Sequence, residues 1–224
     1  VDLTAVDPRL VSRVRALADR ARGDGRRRVL GIAGPPGAGK TTLVAGLLAT
    51  VGADPGLSGR VGHVPMDGFH LPNAELDRLG RRDRKGAPDT FDAEGYAAVL
   101  ASLRTSPRRV VTAPAFDHAV GEAEADAIAI GVEVDVVVTE GNYLLLDDPA
   151  WRPVRALLDE AWLVALADDV RRERLIVRHV EAGREPADAT AWVDRSDEAN
   201  ARRVLRESTG ADLVVVDGRI VAPG

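Results

Sequence analysis

The chain of 224 residues is 45% hydrophobic and 29% charged, with a net charge of −5. That length suits one domain with a large core, and the composition excludes a disordered tail, a collagen-like chain and a disulfide scaffold. The absence of Cys leaves neither a disulfide nor a thiolate metal site, and the acidic balance argues against general nucleic-acid binding. The longest apolar run, Ala161 to Ala167, falls far short of the roughly 20 residues that cross a bilayer. Val1-Asp2-Leu3 shows no secretory pattern, so a cytoplasmic protein without membrane or nucleic-acid partners is expected.

In chain order, Pro8 to Arg22 predicts an amphipathic helix with Leu10, Val14 and Leu17 at helical spacing. Arg26-Arg27-Arg28 reads as a solvated lead-in to the apolar strand Val29–Ala33. A Gly-rich turn follows, then a helix from about Lys40 to Val51. Arg60 to Met66 predicts a second strand, and Asp67 to Asp89 a polar connection long enough to carry function. A helix is expected over Asp92–Arg104. Strands over Arg109–Ala113 and Ala127–Val132 would pair around an irregular segment. The valine-rich run Asp135–Glu140 and Ala161–Leu166 complete the apolar strands, with helices over Asp169–Ala182 and Ala187–Arg206 between them and the closing strands Leu213–Val216 and Arg219–Val221. Strands that alternate with helices and are apolar throughout imply an α/β fold with a parallel sheet covered on both faces, within a single domain whose core spans about 28–222.

Gly34-Pro35-Pro36-Gly37-Ala38-Gly39-Lys40-Thr41 fits G-x-x-x-x-G-K-[ST] and lies between a strand and a helix, the context the motif requires. Glycines let backbone N–H groups turn toward phosphate oxygens, and the helix N-terminus adds partial positive charge. Lys40 would reach the β- and γ-phosphates and Thr41 would hold Mg²⁺, with Thr42 next to them in the nucleotide site. Only two of the 30 basic residues are lysines, Lys40 and Lys85. Glu140, at the C-terminal end of its strand, points into the ligand crevice of an open α/β sheet and is the expected second metal partner.

Three classes of phosphate-loop protein compete. A GTPase would carry an Asn/Thr-Lys-x-Asp motif and a transport ATPase a Ser-Gly-Gly signature, and neither is present. A small-molecule kinase needs a base for the acceptor hydroxyl and a basic lid. Asp67, in Met66-Asp67-Gly68-Phe69-His70 at the end of strand two, is placed to take the hydroxyl proton. Arg171, Arg174 and Arg178 fall on one side of the helix Asp169–Ala182, with Val170, Ile176, Val177 and Val180 on another. This stripe would neutralise charge developing during transfer. Asn200 reads as a structural amide.

These segments, together with Arg84-Lys85-Gly86-Ala87-Pro88-Asp89-Thr90-Phe91-Asp92, Pro114-Ala115-Phe116-Asp117-His118 and Glu140-Gly141-Asn142-Tyr143, resemble the phosphoribulokinase, uridine kinase and bacterial pantothenate kinase family. The resemblance runs from about residue 28 to 222. It implies a three-layer α/β/α phosphate-loop fold with a five-stranded parallel core and an inserted antiparallel strand pair, and ATP as donor with Mg²⁺. Asp67 is then the base, Glu140 lies near the metal, and the arginine helix is the lid, with Arg174 catalytic. Phe69, His70, Lys85, Asp117, His118, Tyr143 and Arg178 would surround the acceptor, a small metabolite with a hydroxyl: a nucleoside, sugar or vitamin precursor. Relatives of assigned substrate often carry His and Arg shortly after the Asp117 position. Here Ala119-Val120-Gly121-Glu122 has no Arg, so a phosphorylated acceptor is not carried over. The competing expectation is a regulatory ATPase acting on a protein partner. A homodimer is compatible with either.

Overall fold

The computed structural model describes residues 6–223. Its strands are β1 (Arg28–Ala33), β2 (Val61–His63), the hairpin β3 (Val111–Asp117) and β4 (Glu122–Ile130), β5 (Val136–Gly141), β6 (Glu160–Ala165), β7 (Leu213–Val216) and β8 (Arg219–Pro223). The α-helices are α1 (Pro8–Asp24), α2 (Lys40–Gly52), α3 (Asn73–Arg78), α4 (Ala93–Leu103), α5 (Arg152–Ala156), α6 (Asp168–Glu181), α7 (Pro186–Trp192) and α8 (Glu198–Glu207). The main sheet has the order β2-β5-β1-β6-β7-β8. The first five of these strands run parallel and β8 returns antiparallel on β7. This is the expected five-stranded parallel core. β3 and β4 form the expected separate antiparallel pair.

Burial on both faces explains the apolar strands. On one side Leu10, Val14 and Leu17 of α1 and Leu43 and Leu47 of α2 pack on Ile32, Val136, Val138 and Trp162. On the other, Tyr96 and Leu100 of α4 join Val29, Val137, Leu144 and Trp151. In the β1–β5 register Ile32 lies opposite Glu140 and Ala33 opposite Gly141. The phosphate loop and Glu140 therefore leave the sheet side by side at its carboxyl edge, where open α/β sheets bind ligands.

Several elements depart from the sequence expectations. β2 ends at His63, because Pro65 brings no N–H to extend the ladder. Met66–Phe69 is a 3₁₀ turn, so Asp67 stands on that turn beyond the strand. The hairpin reaches through Pro114–Asp117, with its register shifting between Ala113 and Ala115. The last long helix is divided into α7, a π-helical turn at Val193–Asp197, and α8.

Arg27 is fully buried, not solvated. Its guanidinium donates to the carbonyls of Leu103, Arg109 and Gly131, tying α4 and the hairpin to the start of β1. At the opposite edge, Asp7 caps α1 through the Arg9 N–H and also accepts from the Ile220 N–H, while Arg9 donates to the Ile220 carbonyl. The start of α1 is thus fastened to β8.

Candidate active site

The phosphate loop forms as its sequence requires. Gly37 has φ 77° and sits under α6: a Cβ there would lie 2.8 Å from Leu175 Cγ and 2.9 Å from the Arg171 carbonyl. Only glycine tolerates both the backbone and the contact. Lys40 opens α2 and is nearly buried at 8% exposure. Its Nζ donates to the Pro35 carbonyl at 3.0 Å and to Asn142 Oδ1 at 2.7 Å. Burial pulls its pKa down to about 8, against the opposing pull of Glu140 and Asp67.

Thr41 Oγ1 donates to Glu140, 3.0 Å from Oε1 and 3.3 Å from Oε2. Burial raises the Glu140 pKa, Lys40 offsets part of that rise, and the Asp67 charge adds to it. A hydroxyl and a buried carboxylate, both hard oxygen donors at the mouth of the loop, fit a Mg²⁺ ion that takes its remaining ligands from phosphate and water. Beneath them Tyr96 OH bonds Thr139 Oγ1, which donates to the Val64 carbonyl at 2.6 Å, holding the end of β5 to the segment that leads into Asp67.

Asp67 shares a cleft of about 610 Å³ with Lys40, Thr41 and Glu140. That volume is in the range of small-molecule sites. The hairpin closes in on the Asp67 turn at Gly68, where a Cβ would meet the Pro114 carbonyl at 2.2 Å. Of the seven expected acceptor contacts, His70, Lys85, His118 and Arg178 line this cleft. Lys85 is already engaged, donating to Asn73 Oδ1 at 2.7 Å and to the Gly121 carbonyl at 2.6 Å, with Phe116 5.2 Å away. It latches the connection before α4 to the hairpin.

Phe69, Asp117 and Tyr143 are not among the lining residues. Phe69 is buried against Tyr96. Asp117 accepts from the Ala119 and Val120 N–H groups and shapes the hairpin turn. Tyr143 is buried and donates its hydroxyl to the Gly86 carbonyl. The cleft instead recruits Phe91 and Phe116 near His70, and His179, Trp192, Asp197 and Asn200 from α6 through α8. His179 Nε2 and Asp197 Oδ2 lie 2.8 Å apart. Asn200 makes no side-chain hydrogen bond among the described residues and lines the cleft, contrary to its reading as a purely structural amide. Nothing local in the sequence marks this wall, whose members are spread over three helices and a π turn.

The three lid arginines separate. Arg171 is 1% exposed, pairs with Glu198 at 2.6 Å and approaches the Pro36 carbonyl at 3.4 Å. It locks α6 and α8 onto the phosphate loop. Arg174 leans over Gly39 and lines a second, smaller crevice with Val6, Thr42, Leu43, Asp217 and Gly218. Arg178, expected beside it, lines the cleft with Asp67, and Arg174 does not. Correspondingly, α6 buries Arg171 and Leu175, while Val170, Val177 and Val180 face outward at 37%, 50% and 37% exposure.

The model of the phosphoribulokinase/uridine kinase family matches residues 29–222. "Putative uridine kinase C227.14" of Schizosaccharomyces pombe is 33% identical over 201 residues, covering 87% of this chain and 85% of that protein. The "Uncharacterized protein YggC" of Escherichia coli is 36% identical over 190 residues, covering 85% and 78%. A crystal structure described as a "putative fructose transport system kinase from Silicibacter sp. TM1040" superposes with a TM-score of 0.77 at 35% identity, covering 89% of this chain and 98% of the other. With the family model spanning the phosphate loop, the Asp67 turn, the hairpin and the Glu140 strand, this chain belongs to the phosphoribulokinase/uridine kinase family of P-loop kinases.

Proposed function

We propose that the protein transfers the γ-phosphoryl group of ATP to a hydroxyl of a small metabolite, a nucleoside, sugar or pantothenate-like alcohol, in the cytoplasm. The observation that carries this reading is the single cleft in which Asp67 faces the same space as Lys40, Thr41 and Glu140. A carboxylate across from the phosphate loop has a role in transfer to an alcohol.

In that reaction the acceptor oxygen forms a bond to γ-phosphorus as the bond to the β-bridging oxygen breaks. Asp67 takes the hydroxyl proton and ADP leaves. Lys40 and Arg178 hold the charge that spreads over the equatorial oxygens. Thr41 and Glu140 would hold Mg²⁺, which would offset the negative charge of the β- and γ-phosphates when bound. We place the base of the nucleotide toward the second crevice, beside Gly39 and the β7–β8 turn, where Arg174 also stands.

The test is ADP release from Mg²⁺·ATP across a panel of nucleosides, sugars, sugar alcohols and pantothenate. Release dependent on one class of acceptor supports the kinase. ADP release indifferent to every acceptor identifies a hydrolase.

A further inference from the structure

Asn142 joins two parts of the site that are far apart in sequence. It follows the end of β5 and lines the cleft. Its Oδ1 accepts from Lys40 Nζ at 2.7 Å. An ammonium can only donate, so the oxygen edge of the amide faces the lysine and the NH₂ edge faces away from it. Burial raises the Tyr143 pKa, and a hydrogen bond from the Asn142 side chain offsets part of that rise. The amide therefore donates to the phenol oxygen. The Tyr143 hydroxyl in turn donates to the Gly86 carbonyl. Lys40, Asn142, Tyr143 and Gly86 form one chain, with every hydrogen directed from the phosphate loop toward Gly86.

The far end of this chain is lightly held. Residues 82–87 include no buried residue, yet Arg82, Lys85 and Gly86 line the cleft. Gly86 has φ 99°, and a Cβ there would meet nothing within 4 Å. The side chains of Arg82, Arg84 and Lys85 donate to Asp77, Asp89, Asn73 and Gly121, and the Gly86 N–H donates to Thr90 Oγ1. Those partners belong to α3, the hairpin turn and the connection itself. Among the described residues, Tyr143 is the hydrogen-bond partner that ties this stretch to the end of β5.

Nucleotide binding changes what the amide faces. Phosphate oxygens take the Lys40 hydrogens, and Asn142 Oδ1 is then set against acceptors like itself. Turning the amide about Cβ–Cγ presents its NH₂ edge to phosphate and its oxygen to Tyr143. The phenol has a single hydrogen. Once that hydrogen goes to Asn142 Oδ1, it is lost to the Gly86 carbonyl.

We propose that Asn142 and Tyr143 are positioning residues that set the Gly86 wall of the cleft according to whether phosphate occupies Lys40. Without nucleotide the chain pins Gly86. With nucleotide bound, the turned amide claims the Tyr143 hydroxyl and the wall is released, so the acceptor side loosens after ATP has arrived. This rests on the nucleotide half of the reading above and on no particular acceptor.

The test is hydrogen–deuterium exchange of peptides covering residues 84–90, with and without Mg²⁺·AMP-PNP, in wild type, Tyr143→Phe and Asn142→Leu, with binding checked by calorimetry. In wild type the analogue should speed exchange by about fivefold, the equivalent of one net hydrogen bond. Tyr143→Phe keeps the buried ring and deletes only the hydroxyl, and it should exchange at the fast rate in both conditions. Asn142→Leu cannot claim the hydroxyl and should stay slow in both. A merely structural role for these side chains would leave the response to the analogue in place. Such a response persisting in Tyr143→Phe overturns the inference, as does unchanged or slowed exchange in wild type that binds the analogue. A wild type that does not bind Mg²⁺·AMP-PNP loses the nucleotide reading, and this inference with it.

Discussion

Lys40 Nζ lies 2.7 Å from Asn142 Oδ1, so the phosphate-loop lysine is held by a neutral amide. Buried and, among the described residues, without a bonded carboxylate, Lys40 has a pKa lowered to about 8 by burial. A lysine so placed is ready to exchange its amide and carbonyl partners for phosphate oxygens, whose negative charge then stabilises the ammonium.

Lys40→Met should reduce phosphoryl transfer by about 10²–10³-fold, the usual effect of removing one charge-stabilising donor from a transition state. In wild type, kcat/KM for ATP should fall as pH rises through about 8, where the free enzyme loses the Lys40 proton. Initial rates over a pH series check both.

Stability should respond in the opposite sense. The unfolded chain keeps the lysine proton up to about pH 10.4, whereas the folded chain releases it near 8. Between these values the unfolded state binds more protons, so this group makes folding more favourable as pH rises. Lys40→Met should have the higher thermal midpoint at pH 7. Its advantage should shrink from pH 8 to 10, as measured by parallel denaturation series.

Asp67→Asn keeps size and polarity but cannot take a proton. Acceptor-dependent ADP release should fall by about 10²–10⁴-fold, while Mg²⁺·ATP affinity by calorimetry stays within a few-fold of wild type. Unchanged transfer would remove Asp67 from the chemistry. Weakened nucleotide binding alone would assign it to the metal.

The lid arginines should divide by phenotype. Arg171→Ala leaves Glu198 without its partner and should destabilise the fold by about 3 kcal/mol, as breaking a buried pair does. Arg174→Ala, in the small crevice, should leave the thermal midpoint nearly unchanged and raise KM for ATP. Arg178→Ala should lower kcat. Thermal melts and steady-state kinetics on the three variants separate these outcomes.

The nucleotide half of the site was legible because its residues are contiguous. Gly34 to Thr41 must form one turn between one strand and one helix, and Glu140 closes the run of valines that pairs beside it. Across the cleft, the sequence reading placed Asp67, His70, Lys85, His118 and Arg178 where the structure brings them together. Tyr143 and Phe69 sit next to motif residues but point into the core, because the neighbouring packing needs their bulk more than the cleft does. The far wall escaped because it depends on a π turn, which shifts the face that α8 presents and has no local sequence mark. Helical periodicity placed the valines and the arginines of α6 on different sides. It did not show that Arg171 would be buried as a tie, satisfying carbonyl and carboxylate partners while its stem packs against Gly37.

The fastening of α1 to β8 bears on how copies of this chain can meet. An outer strand with unpaired N–H and C=O groups is a template for another strand. At Ile220 both groups are already taken, the N–H by Asp7 and the carbonyl by Arg9. The Arg9 guanidinium holds the Asp7 carboxyl far below the usual carboxylate range, so this capping persists in mild acid. At the opposite margin β2 offers only three residues, too few for a stable strand-to-strand seam. Edge-to-edge extension of the main sheet is therefore disfavoured at both margins, and self-association would have to proceed through helix or hairpin faces.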